Sequence, residues 1–133
     1  MKMIEVRYSL DEAIDILGTQ NDVETFRQEV LNFLKTDLES IHIEIDKNIR
    51  SEPWDFVTSD LQIIQNDSPV KVLIAEEKVI KIEGSKENLE KFTSFLEFDE
   101  NAVSGHHSHF EYYDYDGNIY VHPDSFPLII GIK

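Results

Sequence analysis

The run IDILGTQNDVETFRQEVLNFL at residues 14–34 decides the fold. It starts with the two-residue period of a strand, carried by Ile14 and Ile16, and changes period at Gly18 and Thr19. From there Val23, Phe26, Val30, Phe33 and Leu34 recur at helical spacing on one face, and Asn21 or Asp22 stands where a helix cap is expected. At an offset of 66 positions, IKIEGSKENLEKFTSFLEF at residues 80–98 repeats the pattern. Ile80 stands for Ile14, Ile82 for Ile16, Gly84 for Gly18, Ser85 for Thr19, Leu89 for Val23, Phe92 for Phe26 and Leu96 for Val30. Element order and the Gly-Thr/Gly-Ser junction agree along with the periodicity.

Outward from these runs the correspondence continues. MIEVRY (3–8) alternates at Ile4, Val6 and Tyr8 and predicts a hairpin with AIDIL. VKVLI (70–74) does the same before KVIKIEG, with a turn at Glu76 and Glu77. After the first helix SIHIEID alternates again, with Ile41, Ile43 and Ile45 inward, and with one residue inserted HIEI from His42 meets HFEY from His109. Each half then holds a proline loop, SEPWDF or HPDSFP, and a last apolar run, LQIIQ or LIIGI.

These elements predict an α+β chain: an internally duplicated strand-strand-helix-strand-strand unit forming mostly antiparallel or mixed sheet, with two helices packed on it. A strand-helix-strand step would be a right-handed crossover if its strands were parallel neighbours in one sheet. Halves of about residues 1–66 and 67–133 are too small for cores of their own, so we expect a single domain over 1–133 with one shared core.

The charge is the strongest compositional signal: 27 acidic against 12 basic residues, a net −15. Such a field repels nucleic-acid phosphates and anionic membranes and speeds encounter with a basic partner; solubility alone is the plainer use. We therefore expect no nucleic-acid and no membrane partner. With no cysteine, thiolate metal sites, disulfides and a cysteine nucleophile are excluded. The N-terminal run lacks a signal peptide's apolar core and no stretch approaches membrane-spanning length, so a cytoplasmic location is expected.

Chemistry concentrates in SGHHSHFEYYDYDGNIYVHP, residues 104–123. In a strand over 106–113, His107, His109, Glu111 and Tyr113 share one side. His107, His109 and Glu111, with His122 from the next strand, could hold zinc or iron. The same polar positions are also what the solvent face of the strand would show, since His42 and Glu44 recur in the first half without a ligand cluster. The spacing fits neither a cupin nor a His-Glu-x-x-His site, and Asp114 begins a calcium-like loop whose twelfth position is Ser125 rather than glutamate. No phosphate loop, dinucleotide fingerprint or nucleophile elbow occurs, so we expect no enzyme, no catalytic residues and no cofactor.

Recognition remains. Trp54, beside Asp55 in a proline loop, is either a lid on the core or an interface anchor. Tyr113, Tyr115 and Tyr120 stand among Asp114 and Asp116, a combination suited to capturing an Arg- and Lys-rich surface. Trp54, Asp55, Tyr113, Asp114, Tyr115, Asp116 and Tyr120 are thus the candidate partner-binding residues.

GHHSHFEYYDYDGNIYVHPDSFPLIIGIK, with IDILGTQNDVETFRQEVLNFL and KVIKIEGSKENLEKFTSFLEF, resembles the small immunity proteins of bacterial polymorphic toxin systems. The likeness lies in a strand, Gly-Ser/Thr and helix segment, a His-rich strand and a Pro-Asp-Ser-x-Pro-Leu ending, over residues 13–132. The resemblance implies a non-enzymatic antidote that binds a cognate toxin domain and blocks its active site. It assigns no residue roles.

Overall fold

The computed structural model describes residues 3–113 and 120–133. The chain is α+β, with two helices and two mixed sheets. Its strands are β1 (Glu5–Tyr8), β2 (Ile14–Gly18), β3 (Ser40–Ile43), β4 (Phe56–Val57), β5 (Asp60–Gln65), β6 (Lys71–Ala75), β7 (Val79–Gly84), β8 (His107–Phe110) and β9 (Leu128–Ile132). Helix α1 spans Gln20–Phe33, and α2 (Lys86–Thr93) runs on into a 3-10 turn at Ser94–Leu96.

Each inner strand turns into its helix at the glycine-hydroxyl pair. The Thr19 hydroxyl accepts from the Asp22 N–H at 3.1 Å while the Asp22 carboxylate accepts from the Thr19 N–H at 3.0 Å, a closed capping box. Ser85 caps α2 by accepting from the Asn88 N–H. The cap of α1 is therefore Thr19 rather than Asn21 or Asp22; Asp22 serves one turn later. Val23, Phe26, Val30 and Phe33 form the buried face of α1, and Leu89 and Phe92 that of α2.

One sheet runs β4-β1-β2-β9-β8 and the other β3-β5-β7-β6. Within each, a hairpin from one half of the chain lies parallel to the last strand of the other half: β2 against β9, and β7 against β5. The offsets seen in the sequence reappear as register. Val6 faces Ile16 as Val72 faces Ile82, Ile16 faces Ile130 as Ile82 faces Ile63, and Ile43 faces Leu61 as Phe110 faces Leu128. Beside β1 stands β4; beside β6 the equivalent place is taken by residues 120–126, where Val70, His122 and Phe126 exchange backbone hydrogen bonds along the strand.

The strand-helix-strand step does not close within one sheet. Helix α1 leaves β2 in the first sheet and delivers β3 to the second, and α2 leaves β7 in the second and delivers β8 to the first. Alternation told which face of each strand is buried and could not tell which strand lies beside it. The bridge Ile4–Ile45 ties the start of β1 in the first sheet to the end of β3 in the second, and Val70–Val121 ties the segment before β9 to the start of β6. Buried side chains from both halves form one cluster, in which Phe26, Phe92 and Phe110 are the largest fully enclosed. Each such side chain contributes about 1.5–3 kcal/mol by leaving water. Among the described residues no helix is long and apolar enough to cross a membrane.

Candidate functional site

The outer face of the first sheet is set by register. Across it run two rows, Val57-Arg7-Asp15-Ile129-His109 and Glu5-Leu17-Gly131-His107. At one end Glu5 is 9% exposed and takes an ion pair from Arg7 at 2.9 Å and another from Lys133. Burial alone would push the Glu5 carboxyl up, but its hydrogen bonds to Lys133 and Arg7 outweigh it and hold it below its ordinary value. Asp15, opposite Arg7 in the other row, is shifted upward by burial, against the pull of Arg7 and with the push of Glu5. This charged group went unread in the sequence, where Glu5, Arg7 and Asp15 look like ordinary outward positions and Lys133 lies at the far end of the chain.

The Trp54 loop is tied to this end of the sheet. Arg7 Nε donates to the Arg50 carbonyl at 2.6 Å, the Trp54 N–H to the Ser51 carbonyl at 2.8 Å, and the Asp55 N–H to Ser9 Oγ at 3.1 Å. Trp54 is half-buried, Asp55 is exposed, and Trp54 belongs neither to the core cluster nor to the half-buried apolar side chains packed on it. Trp54 is thus a half-buried side chain on a tethered loop.

Of the other candidates, Tyr113 follows β8, the opposite edge strand of this sheet, four strand spacings or about 19 Å from β4, and Tyr120 lies beside β6. The strand expected over 106–113 is shorter, 107–110. Tyr113 is 50% exposed and its hydroxyl donates to Glu111 Oε1 at 2.6 Å. Tyr120 is half-buried against Phe95, with the Lys91 ammonium 5.8 Å from its ring centre, and Tyr112 packs on the core. Tyr120 is therefore part of the wall over α2 more than an open contact. Asp114, Tyr115 and Asp116 lie outside the described residues, as does the first half of the calcium-like loop that Asp114 begins.

The histidines divide similarly. His107 and His109 stand on the exposed face of β8 with ring centres 5.0 Å apart, and His107 Nδ1 is 3.0 Å from the Gly105 carbonyl. His122 Nδ1 accepts from the Asp124 N–H at 3.0 Å. Among the described residues no three His, Asp or Glu side chains form a group that could hold a metal ion, so His107, His109, Glu111 and His122 are not gathered as one ligand set.

The equivalent edge of the second sheet is β3. Here His42 Nδ1 lies 3.0 Å from both oxygens of Asp60, and Gln62 Nε2 donates to the same carboxylate at 2.8 Å. Against the effect of burial, Gln62 and His42 hold the Asp60 carboxyl below its ordinary value. Two clefts of about 360 Å³ flank this strand. A smaller one joins them, with Glu29 of α1 and Glu44 on its lining. Burial, and secondly the Glu44 charge, push the Glu29 carboxyl up. His42 and Glu44 were visible in the sequence only as the plain counterparts of His109 and Glu111.

Comparison of the chain with protein-family models, with curated proteins and with solved structures gives no match.

Proposed function

We propose that this chain is an immunity protein: a cytoplasmic, non-enzymatic antidote that binds a cognate bacterial toxin domain, a basic one such as a nuclease, and occludes it. The observation that carries the reading is the surplus of unpaired carboxylate. Among the described acidic residues only Glu5, Glu24, Asp60, Glu87 and Glu97 stand in ion pairs. Asp37, Glu39, Glu44, Asp55, Asp99 and Glu100 are exposed without a basic partner. Such a surface works against the compact state through self-repulsion and favours fast, complementary capture of a cationic protein. The resemblance of the three quoted runs to immunity proteins points the same way. So do Trp54 and Tyr113, aromatic side chains left partly or largely in water where a partner could bury them.

The test is a pull-down of the purified chain with the C-terminal domain of the large protein encoded directly upstream, with metal content measured on the same sample. Stoichiometric, metal-independent association is expected, with an on-rate that falls steeply as salt is raised. Equal on-rates at low and high salt would remove the electrostatic part of the reading. No association, together with about one zinc or iron per chain, would replace it with a metal-binding protein.

A further inference from the structure

The two ends of the second sheet are finished differently. At the β6 end the backbone is covered: the Val70 N–H donates to the Tyr120 carbonyl, the Phe126 N–H to the Val72 carbonyl, and the Val72 N–H to Ser125 Oγ. At the other end β3 has β5 as its only sheet neighbour among the described residues. The Gln65 N–H donates to the Glu39 carbonyl, which fixes the alternation: Glu39, Ile41 and Ile43 turn their backbone groups to β5, and Ser40 and His42 turn theirs away from it. An open edge of this kind is a template for another strand, and natural sheets blunt it with lysine, proline, a bulge or a cover. Residues 40–43, SIHI, contain neither lysine nor proline; just beyond them Ile45 bridges Ile4 and the Asp46 N–H donates to the Ile4 carbonyl, so the open stretch is that of Ser40 and His42.

The ground beside this edge has a definite character. On the α1 side a cleft of about 360 Å³ is floored by Phe33 and Ile41 and rimmed by Leu38, which is 57% exposed. On the other side the second cleft of that size is lined by Met3, Ile43 and Ile45. Glu29 lines the α1-side and joining clefts, and Glu44 the joining and outer ones; neither has a basic partner among the described residues. The groove is thus apolar along its floor, with Glu29, Glu44 and Asp60 against the single cation Lys47 among its described lining residues, beside backbone donors and acceptors facing outward.

We infer that the free edge of β3 is a docking site for an extended, Lys- or Arg-bearing segment of a partner protein, which adds to the second sheet as a fifth strand. Backbone pairing with Ser40 and His42 supplies affinity; apolar side chains entering the two clefts and cations reaching Glu29 and Glu44 supply selectivity. This rests on the reading of the chain as a binder of a basic protein and says where that protein holds on.

The experiment uses the full chain and two probes: the upstream-encoded toxin domain, and a synthetic, end-blocked hexapeptide of alternating lysine and valine. Binding is measured for the wild type, for His42→Pro and for the pair Glu29→Gln with Glu44→Gln, and amide exchange is followed at Ser40 and His42. Proline at 42 removes an outward N–H and leaves the pairing with β5 in place. The expected result is slowed exchange at both amides in the complex and a loss of about tenfold or more in affinity for each variant, with a urea midpoint for the carboxylate pair no lower than that of the wild type. If His42→Pro does not fold, the carboxylate pair and the wild-type exchange data decide. Undiminished toxin binding by the variants, with unprotected amides, would overturn the edge site and leave the immunity reading standing. Peptide binding that protects Ser40 and His42 without any toxin binding would do the reverse. Failure of both probes to protect these amides overturns the inference.

Discussion

Gly18 and Gly84 occupy the same point of the two sheets, each the last residue of an inner strand and each followed by the hydroxyl that caps a helix. A Cβ on Gly18 would lie 2.9 Å from the Asp22 Cβ, and one on Gly84 would lie 3.1 Å from the Val70 Cα. Both close approaches let a strand edge pass directly over the start of a helix or a neighbouring strand. Gly18→Ala forces Asp22 out of its capping box and is expected to lower stability by roughly 1–3 kcal/mol, read as a fall in urea midpoint. Gly84→Ala meets main chain and is expected to cost a similar amount.

Phe110 is fully buried with Phe92 and Phe95 edge-on to its ring, at centroid distances of 5.0 and 4.9 Å. It joins β8 to α2 and to the turn after it. Phe110→Ala is expected to cost about 3–5 kcal/mol in equilibrium unfolding. Loss of helical ellipticity together with sheet signal in one transition would show that β8 holds α2 in place.

Glu5 supplies an acid-sensitive part of the stability. Its folded carboxyl titrates below its unfolded value, so the stabilisation is complete above the ordinary carboxylate range and is lost as pH falls through the folded value. Glu5→Gln is expected to be about 2 kcal/mol less stable than wild type at neutral pH. The difference should vanish in acid; a gap independent of pH would point to packing instead.

Glu29 carries the opposite sign. Its folded carboxyl titrates above its unfolded value, so ionisation weakens the fold as pH rises from the ordinary carboxylate range through the raised one. Glu29→Gln is expected to unfold at a higher temperature than wild type at neutral pH and at the same temperature in acid. A carboxylate that destabilises its own fold while lowering affinity when removed would be held for recognition.

The sheet pairing also bears on the halves. Residues 1–66 contain β1, β2, β3, β4 and β5 but none of β6, β7, β8 and β9, so each sheet keeps only part of itself. Prepared separately, 1–66 and 67–133 are expected to show little fixed structure by near-ultraviolet circular dichroism, and to recover the native spectrum when mixed in equal amounts. A half that folds cooperatively alone would contradict the shared core.

How much of this was readable in the sequence depended on range. Inward and outward positions of strands and helices were plain, because burial of one face imposes period two on Val6, Ile14 and Ile16 and helical spacing on Val23, Phe26 and Val30. The offset pairs Ile16 and Ile82, or Ile43 and Phe110, were also visible, since equivalent register demands equivalent side chains. The exchange of strands between halves was not, because nothing local to β2 distinguishes β9 from β3 as its neighbour. The candidate site fared less well. Trp54 and Tyr113 were picked for aromatic character, yet they lie at opposite edges of one sheet. The β3 groove was passed over because His42 and Glu44 attract notice only once Glu29 and Asp60 are brought beside them.

The exchange of strands has a further consequence during synthesis. Strand β2 can pair with β1 as soon as both are made, but its parallel neighbour β9 is the last strand of the chain; β5 likewise precedes its parallel neighbour β7. Long-range parallel pairing of this kind is slow and leaves sticky edges open on the ribosome. The net charge of −15 works against association of such unfinished chains through mutual repulsion.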